Sequence, residues 1–248
     1  MSSFCNPNLP TSAVTDVVIS GEYSYIKSEL NKLGVSTITT QPSLCLPFYE
    51  RYHPDMQFSY YKKGNAVINQ NTPILADKLA GIGVKLNYTY SSNLREYPYT
   101  IYYNHIVMDD FLICNVKYTD KYVYNYCCLN DFKIINAKQG YTKCSTAIVS
   151  NNAIITADMG IYSSCKNHFD VLKIDSGFIS LYGYDYGFIG GCCGKLDKDI
   201  LAFTGKVSDH KNYNDIKAFL NNHSINILEL SNKPLVDIGS IIPIKQKE

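Results

Sequence analysis

The sequence predicts an α/β fold of five hairpin–helix–strand repeats, closed into a five-bladed α/β-propeller with pseudo-fivefold symmetry. Three observations carry this. One hairpin recurs: residues 143–158 (KCSTAIVSNNAIITAD), 105–116 (HIVMDDFLICNV) and 191–205 (GCCGKLDKDILAFTG) share an apolar strand, a polar turn and a second apolar strand. A helix end recurs as well, in residues 30–35 (LNKLGV) and 79–84 (LAGIGV). Finally, residues 235–244 (LVDIGSIIPI) read as a strand without a hairpin partner, and residues 16–20 (DVVIS) lack one. Pairing these two would close the ring and hide its sheet edges. An open doubly wound sheet would explain the helices but not the hairpin before each of them.

The elements follow in order. After the first strand, residues 22–33 place Tyr25, Ile26, Leu30 and Leu33 on one helical face, and Gly34 suits a left-handed helix end. Residues 35–39 (VSTIT) form a β-branched strand. Residues 56–68 form a hairpin turning at 62–65, followed by a helix over 73–82 opened by Pro73 and stopped by Gly83, then a strand over 84–88. A third helix is expected over 118–129 with a strand at 133–136, and a fourth within 159–166 with a strand at 170–174. Asn130 and Asn167 stand where Gly34 and Gly83 stood, as left-handed substitutes. The fifth helix runs from about 209 to 221, with Ser208 as its cap, before a strand at 225–230. In the central turn Asn151 and Asn152 suit positive φ. The repeats divide at approximately 16–55, 56–103, 104–143, 144–190 and 191–244 of one domain spanning 1–248, in units of about 50 residues.

Composition excludes several classes. With 46% hydrophobic and 18% charged residues the chain is globular, and 248 residues are ample for a buried core. A net charge of +1 does not suggest a nucleic-acid partner, although a local patch could hide within a neutral total. No stretch is long and apolar enough for a membrane span, and no signal peptide is evident. Nine cysteines, an odd number without a framework, are expected to be reduced in a cytoplasmic protein. Cys127-Cys128 and Cys192-Cys193 lack metal-type spacing, so neither a metal nor a cofactor is expected. Residues 187–195 (GFIGGCCGK) fail the phosphate-loop pattern, with Ile189 at the first glycine and Leu196 at the magnesium position. Their glycines instead let backbone approach the axis closely.

Through the repeats, and through YHPDMQF (52–58), QGYTKCS (139–145), GFIGG (187–191) and DIGSIIPI (237–244), the chain resembles the pentein superfamily of guanidine-modifying enzymes, closest to an uncharacterised bacterial family of that fold. The resemblance covers nearly the whole chain. It implies a small-molecule site on the pseudo-fivefold axis, lined by the start of each hairpin. It also implies a nucleophilic Cys from the last repeat, a His with a carboxylate two residues later from the middle repeat, and early carboxylates that bind the guanidinium. Asp55 stands at such an early position, and Asn104 with His105 supplies polar lining. The middle repeat departs, with Cys144-Ser145-Thr146 in place of His-x-Asp. The last repeat departs too: residues 237–242 hold no Cys, and Ser240 is the nearest hydroxyl.

Cys144 is the sharpest candidate, because the positive charge of Lys143 beside it would raise its thiolate fraction. The alternative is a buried thiol acting as a small hydrophobe. His53 offers a base beside Asp55, with Pro54 biasing it to extended geometry; the alternative is a loop bend in which Asp55 caps amides. Asp158 reads as a helix cap. Cys192 and Cys193 align with Ser145 and Thr146, so either is a second nucleophile candidate or strand packing.

Two functions remain open. The first is a divergent hydrolase or transferase acting on a guanidine-, amidine- or amide-containing small molecule. Cys144, His53 and Asp55 would be catalytic, and Asn104, Lys143, Ser145, Gly190, Gly191, Cys192, Asp237 and Ser240 would line the substrate site. The second is a non-catalytic pentein acting as a binding or ribosome-associated protein. Oligomeric state is not legible in the sequence.

Overall fold

The computed structural model describes residues 1–89 and 96–248. Among them the chain forms five small sheets and five α-helices, a mixed α/β fold. Four sheets have one plan, two antiparallel hairpin strands, then a helix, then a third strand parallel to the second. They are β4 (Phe58–Lys62), β5 (Asn65–Asn69) and β6 (Lys85–Thr89) around α2 (Pro73–Gly81); β7 (Ile106–Met108), β8 (Phe111–Cys114) and β9 (Lys133–Asn136) around α3 (Lys121–Leu129); β10 (Thr146–Ser150), β11 (Ala153–Thr156) and β12 (Asp170–Lys173) around α4 (Met159–Cys165); and β13 (Cys193–Asp197), β14 (Ile200–Phe203) and β15 (Asn226–Glu229) around α5 (Tyr213–Asn222).

The remaining sheet draws on both ends of the chain. β2 (Val14–Ile19) pairs in parallel with β3 (Ser36–Thr39) across α1 (Ser24–Lys32), and antiparallel with β16 (Ile242–Lys247). β1 (Ser2–Phe4) pairs along the outer side of β16. The closing strand thus starts at Ile242. Pro243 lies beside a register shift against β2, where its missing N–H interrupts no regular ladder.

The apolar clusters join neighbours. Phe58, Ile68 and Leu79 of the second sheet unit pack with Val18, Ile242 and Ile244 of the first. Tyr61 and Val67 meet Leu112 and Val123 of the third. Ile106 and Ile113 meet Ile148 and Ile154 of the fourth. Val149 and Ile155 meet Leu201 and Phe203 of the fifth, and Leu196 and Ala202 meet Val17 and Ile19 of the first. A three-stranded sheet with one short helix buries too little area alone, so each unit depends on its neighbours.

Local geometry corrects several sequence expectations. Gly34 and Gly83 do end helices with φ of +78° and +90°. In the third unit the left-handed residue is Asp131 (φ +58°), whereas Asn130 has φ −112° and bonds back to the Tyr126 carbonyl. Asn167 has no positive φ, and nor do Asn151 and Asn152; a bulge between Ile148 and Ser150 absorbs the turn instead. α3 starts at Lys121 because the Asp120 carboxylate caps it, accepting from Val123 N–H. α5 starts at Tyr213: Ser208 lies in a separate 3₁₀ turn, and extended His210 breaks the path between them. Asp158 caps α4 as expected, accepting from Ile161 N–H at 2.7 Å.

Ile244 is fully buried between the first and second units. Ile244→Ala is expected to lower stability in urea unfolding by about 3 kcal/mol, with an unchanged denaturant slope.

Candidate functional site

Five segments lead into the first strands of the five hairpins, and they carry the polar residues that meet inside the protein. His53 is held extended before Pro54 (φ −63°, ψ 119°), and the 3₁₀ turn Pro54–Met56 swings Asp55 inward ahead of β4. Asn104 precedes β7, Lys143 and Cys144 precede β10, Gly190 and Gly191 precede β13, and Asp237 and Ser240 precede β16. The segments approach closely at Gly190 and Gly191. A side chain on Gly190 would strike the carbonyls of Thr146 and Lys143, and one on Gly191 would strike the Asp237 carboxylate.

The Cys144 thiol donates to Asp55 Oδ2 at 2.9 Å and accepts from Asn104 Nδ2 at 3.1 Å. The Asn104 carbonyl accepts the backbone N–H of Lys143 (2.8 Å) and of Cys144 (3.1 Å), fixing the thiol's segment. Ser240 Oγ lies 3.0 Å from Asp55 Oδ2 and 2.9 Å from the Gly190 carbonyl, and it accepts from Lys143 Nζ at 3.2 Å. His53 Nδ1 is 4.0 Å from Asp237 Oδ1. The Asp237 carboxylate is anchored by the N–H groups of Gly239 and Phe188. Donor atoms of His53, Asp55 and Cys144 all lie within 4.8 Å of one another. These are metal-type donors, but the 2.9 Å thiol–carboxylate contact is shorter than the spacing of about 3.5 Å that two such ligands take around zinc. Cys144 and Asp55 bond to each other instead.

Cys144, His53 and Asp237 face a cavity of about 120 Å³ whose other walls are Glu50, Tyr141, Leu181, Tyr184, Tyr186 and Phe188. Glu50 is buried and accepts from the hydroxyls of Tyr141 and Tyr184. Sequence reasoning missed this wall. The alternation of Tyr and Gly in LYGYDYGF (181–188) was its one signal, and Glu50 had none. Of the other sequence candidates, Asn104, Lys143 and Ser240 stand behind the floor rather than on the wall. Ser145 faces a different crevice, with Gln139 and Asp158, and its hydroxyl has no hydrogen-bond partner. Cys192 is fully buried in an apolar cluster and donates to the Ile189 carbonyl at 3.2 Å, and Cys193 shares that cluster. Both are therefore apart from Cys144 chemistry.

The electrostatics reverse one expectation. Lys143 does not ionise Cys144; its ammonium bonds to Ser240 instead. Burial, followed by the charges of Asp55 and Asp237, pushes the Cys144 thiol well above its usual range. Burial raises the Asp55 carboxyl to about 6, against the opposing pull of His53, the Cys144 hydrogen bond and Lys143. Asp55 Oδ1 is buried without a partner. A buried thiol hydrogen-bonded to a carboxylate of that basicity is a proton donor with its acceptor in place.

Solved structures of the same architecture are guanidine-modifying enzymes, which makes this a pentein fold. Inosamine-phosphate amidinotransferase from Streptomyces griseus superposes with a TM-score of 0.59 at 9% identity, over 92% of this chain and 91% of that one. SxtG, an amidinotransferase of the saxitoxin biosynthetic pathway from Microseira wollei, gives 0.56 at 10% identity, over 92% and 91%. DDAH from Pseudomonas aeruginosa, solved with citrulline, gives 0.53 at 9% identity, over 88% and 92%. Within that fold the chain belongs to DUF6873, a family of unknown function whose model matches residues 18–242. No curated protein matches the chain. No helix among the described residues is long and apolar enough to cross a membrane.

The Asp55 shift has a thermodynamic consequence. A folded carboxyl held at about 6 rather than 3.8 binds its proton longer than the unfolded one. Its contribution to stability is therefore full below about pH 4 and lost as pH rises through 6. Relative to Asp55→Asn, which cannot titrate, the wild type is expected to lose roughly 2 kcal/mol between pH 4 and 6.5, read by urea unfolding at each pH.

Proposed function

We propose that the chain is a five-bladed pentein propeller, one domain from its first repeat to its last, and a hydrolase or transferase for a cationic guanidine- or amidine-bearing small molecule, with Cys144 as nucleophile. The observation that carries the reading is the convergence of Cys144, His53 and Asp237 at one cavity, with the Asp55 carboxylate hydrogen-bonded to the Cys144 thiol behind it. Supporting the ring are the five apolar clusters, each of which joins successive units and the last of which joins the fifth to the first.

A planar cation fits the cavity's chemistry: carboxylates of Glu50 and Asp237, with aromatic faces of Tyr141, Tyr184 and Phe188 around them. Its arrival offsets the negative charges that hold the thiol protonated. The thiol proton then passes to Asp55, and the thiolate attacks the central carbon. A C–S bond forms, the C–N bond breaks, and the amine leaves with a proton from His53. Water completes a hydrolase cycle, or an acceptor amine completes a transferase cycle, and either returns the thiol. The nine free cysteines accord with a reducing compartment such as the cytoplasm. One observation favours a second reading, a binding protein without turnover: the free protein keeps Cys144 as a thiol.

Thermal shift and amine release, measured with a panel of alkyl- and aryl-guanidines and amidines, test the proposal. A ligand at about 100 times its Kd adds roughly 2.7 kcal/mol of stability. Cys144→Ala is expected to abolish release while leaving the shift. Stabilisation without release selects the binding reading, and no stabilisation by any cation overturns both.

A further inference from the structure

Lys143 and Ser240 are buried and face away from the cavity, yet both are bonded to its chemistry. An ammonium can only donate, and Lys143 Nζ donates to Ser240 Oγ at 3.2 Å. That hydroxyl has a single proton and two acceptors in reach, Asp55 Oδ2 at 3.0 Å and the Gly190 carbonyl at 2.9 Å. Asp55 Oδ2 also receives the Cys144 thiol at 2.9 Å, while Oδ1 has no partner. The behaviour of the carboxylate therefore rests on one oxygen shared by Ser240 and Cys144. Ser240 holds this position with φ +78°, a left-handed backbone costing a non-glycine residue about 1 kcal/mol or more. Strain of this kind persists where surroundings over-determine it, and here the Ser240 N–H is fixed to the Gly191 carbonyl.

We propose that Lys143, acting through Ser240, is a positioning residue that governs how readily Asp55 takes the Cys144 proton. The proposal rests on Cys144 as nucleophile with Asp55 as its acceptor. In the step, the proton leaves Sγ for Asp55 Oδ2 and a thiolate remains. When Ser240 donates to Asp55, the anion is stabilised and is a weak base. When the hydroxyl turns to Gly190, the carboxylate keeps only the thiol and becomes a stronger base. The Lys143 charge biases the same equilibrium toward the anion. The titratable groups facing Asp55 and the thiol are His53, Asp237 and Lys143, and Cys193 faces Lys143. Among the described residues, Lys143 is the cation bonded into this chain.

Iodoacetamide alkylation of Cys144, followed by peptide mass spectrometry between pH 5 and 9, reads the step without a substrate. The acid limb of the wild-type profile is expected where Asp55 ionises, about 6. Lys143→Met moves that limb up by about one pH unit, so alkylation on the limb is roughly tenfold slower. Ser240→Ala moves it the same way, and Lys143→Arg, which keeps the charge, leaves it in place. A limb unmoved in both Lys143→Met and Ser240→Ala overturns the proposal, as does a Cys144 inert across the whole range. Should Lys143→Met fail to fold, Ser240→Ala against the wild type decides. Failure to turn over any guanidine overturns the enzymatic reading and leaves a shifted limb standing.

Discussion

The antiparallel pairing of β16 with β2 is the interaction on which the rest depends. Val18 opposes Ile242 and Val17 opposes Pro243, joining residues more than two hundred positions apart. Without it the first sheet has no hairpin, and Ile242 and Ile244 lose their places against Phe58 and Ile68. The same pairing fixes the segment just before β16, which brings Asp237 beside His53 and Ser240 beside Asp55. Completing the first sheet and assembling the site are therefore one event. A distant contact of this kind is costly in loop entropy, and the apolar rows on both strands repay that cost through burial.

Much of the architecture was legible because it depends on period and punctuation. Alternating apolar runs around polar turns marked four hairpins, and the glycines ending α1 and α2 marked the crossovers. Boundaries were less legible where a side chain intervened. Asp120 started α3 later than its tyrosine-rich lead suggested, and His210 delayed α5. Asp131, rather than Asn130, took the left-handed bend, since the Asn130 amide was engaged with the helix's own carbonyl.

The site divided along a similar line. Cys144, His53, Asp55, Asn104, Asp237 and Ser240 were legible as candidates because each lies in a segment that leads into the first strand of a hairpin, and the hairpins were visible. Their charge states were not visible. Adjacency in sequence put Lys143 beside Cys144, but the two sit in a turn before β10 from which their side chains diverge. The ammonium turned to Ser240 and the thiol to Asp55. Buried electrostatics depends on which groups face each other across the fold, which spacing along the chain does not encode. The Glu50–Tyr141–Tyr184 cluster escaped notice for the same reason, since its members come from three separate connections.

That cluster separates the mouth of the cavity from its floor in evolutionary terms. The floor is built from segments clamped to strands, where glycines at 190 and 191 leave no space for a side chain. The mouth is built from loops, with Tyr49, Tyr182 and Tyr184 stacked edge to face on the outside. Loops accept substitution and insertion with little penalty to the core. Selection can thus redraw the mouth of this cavity by editing residues 44–50 and 181–186, while the floor beneath stays as it is.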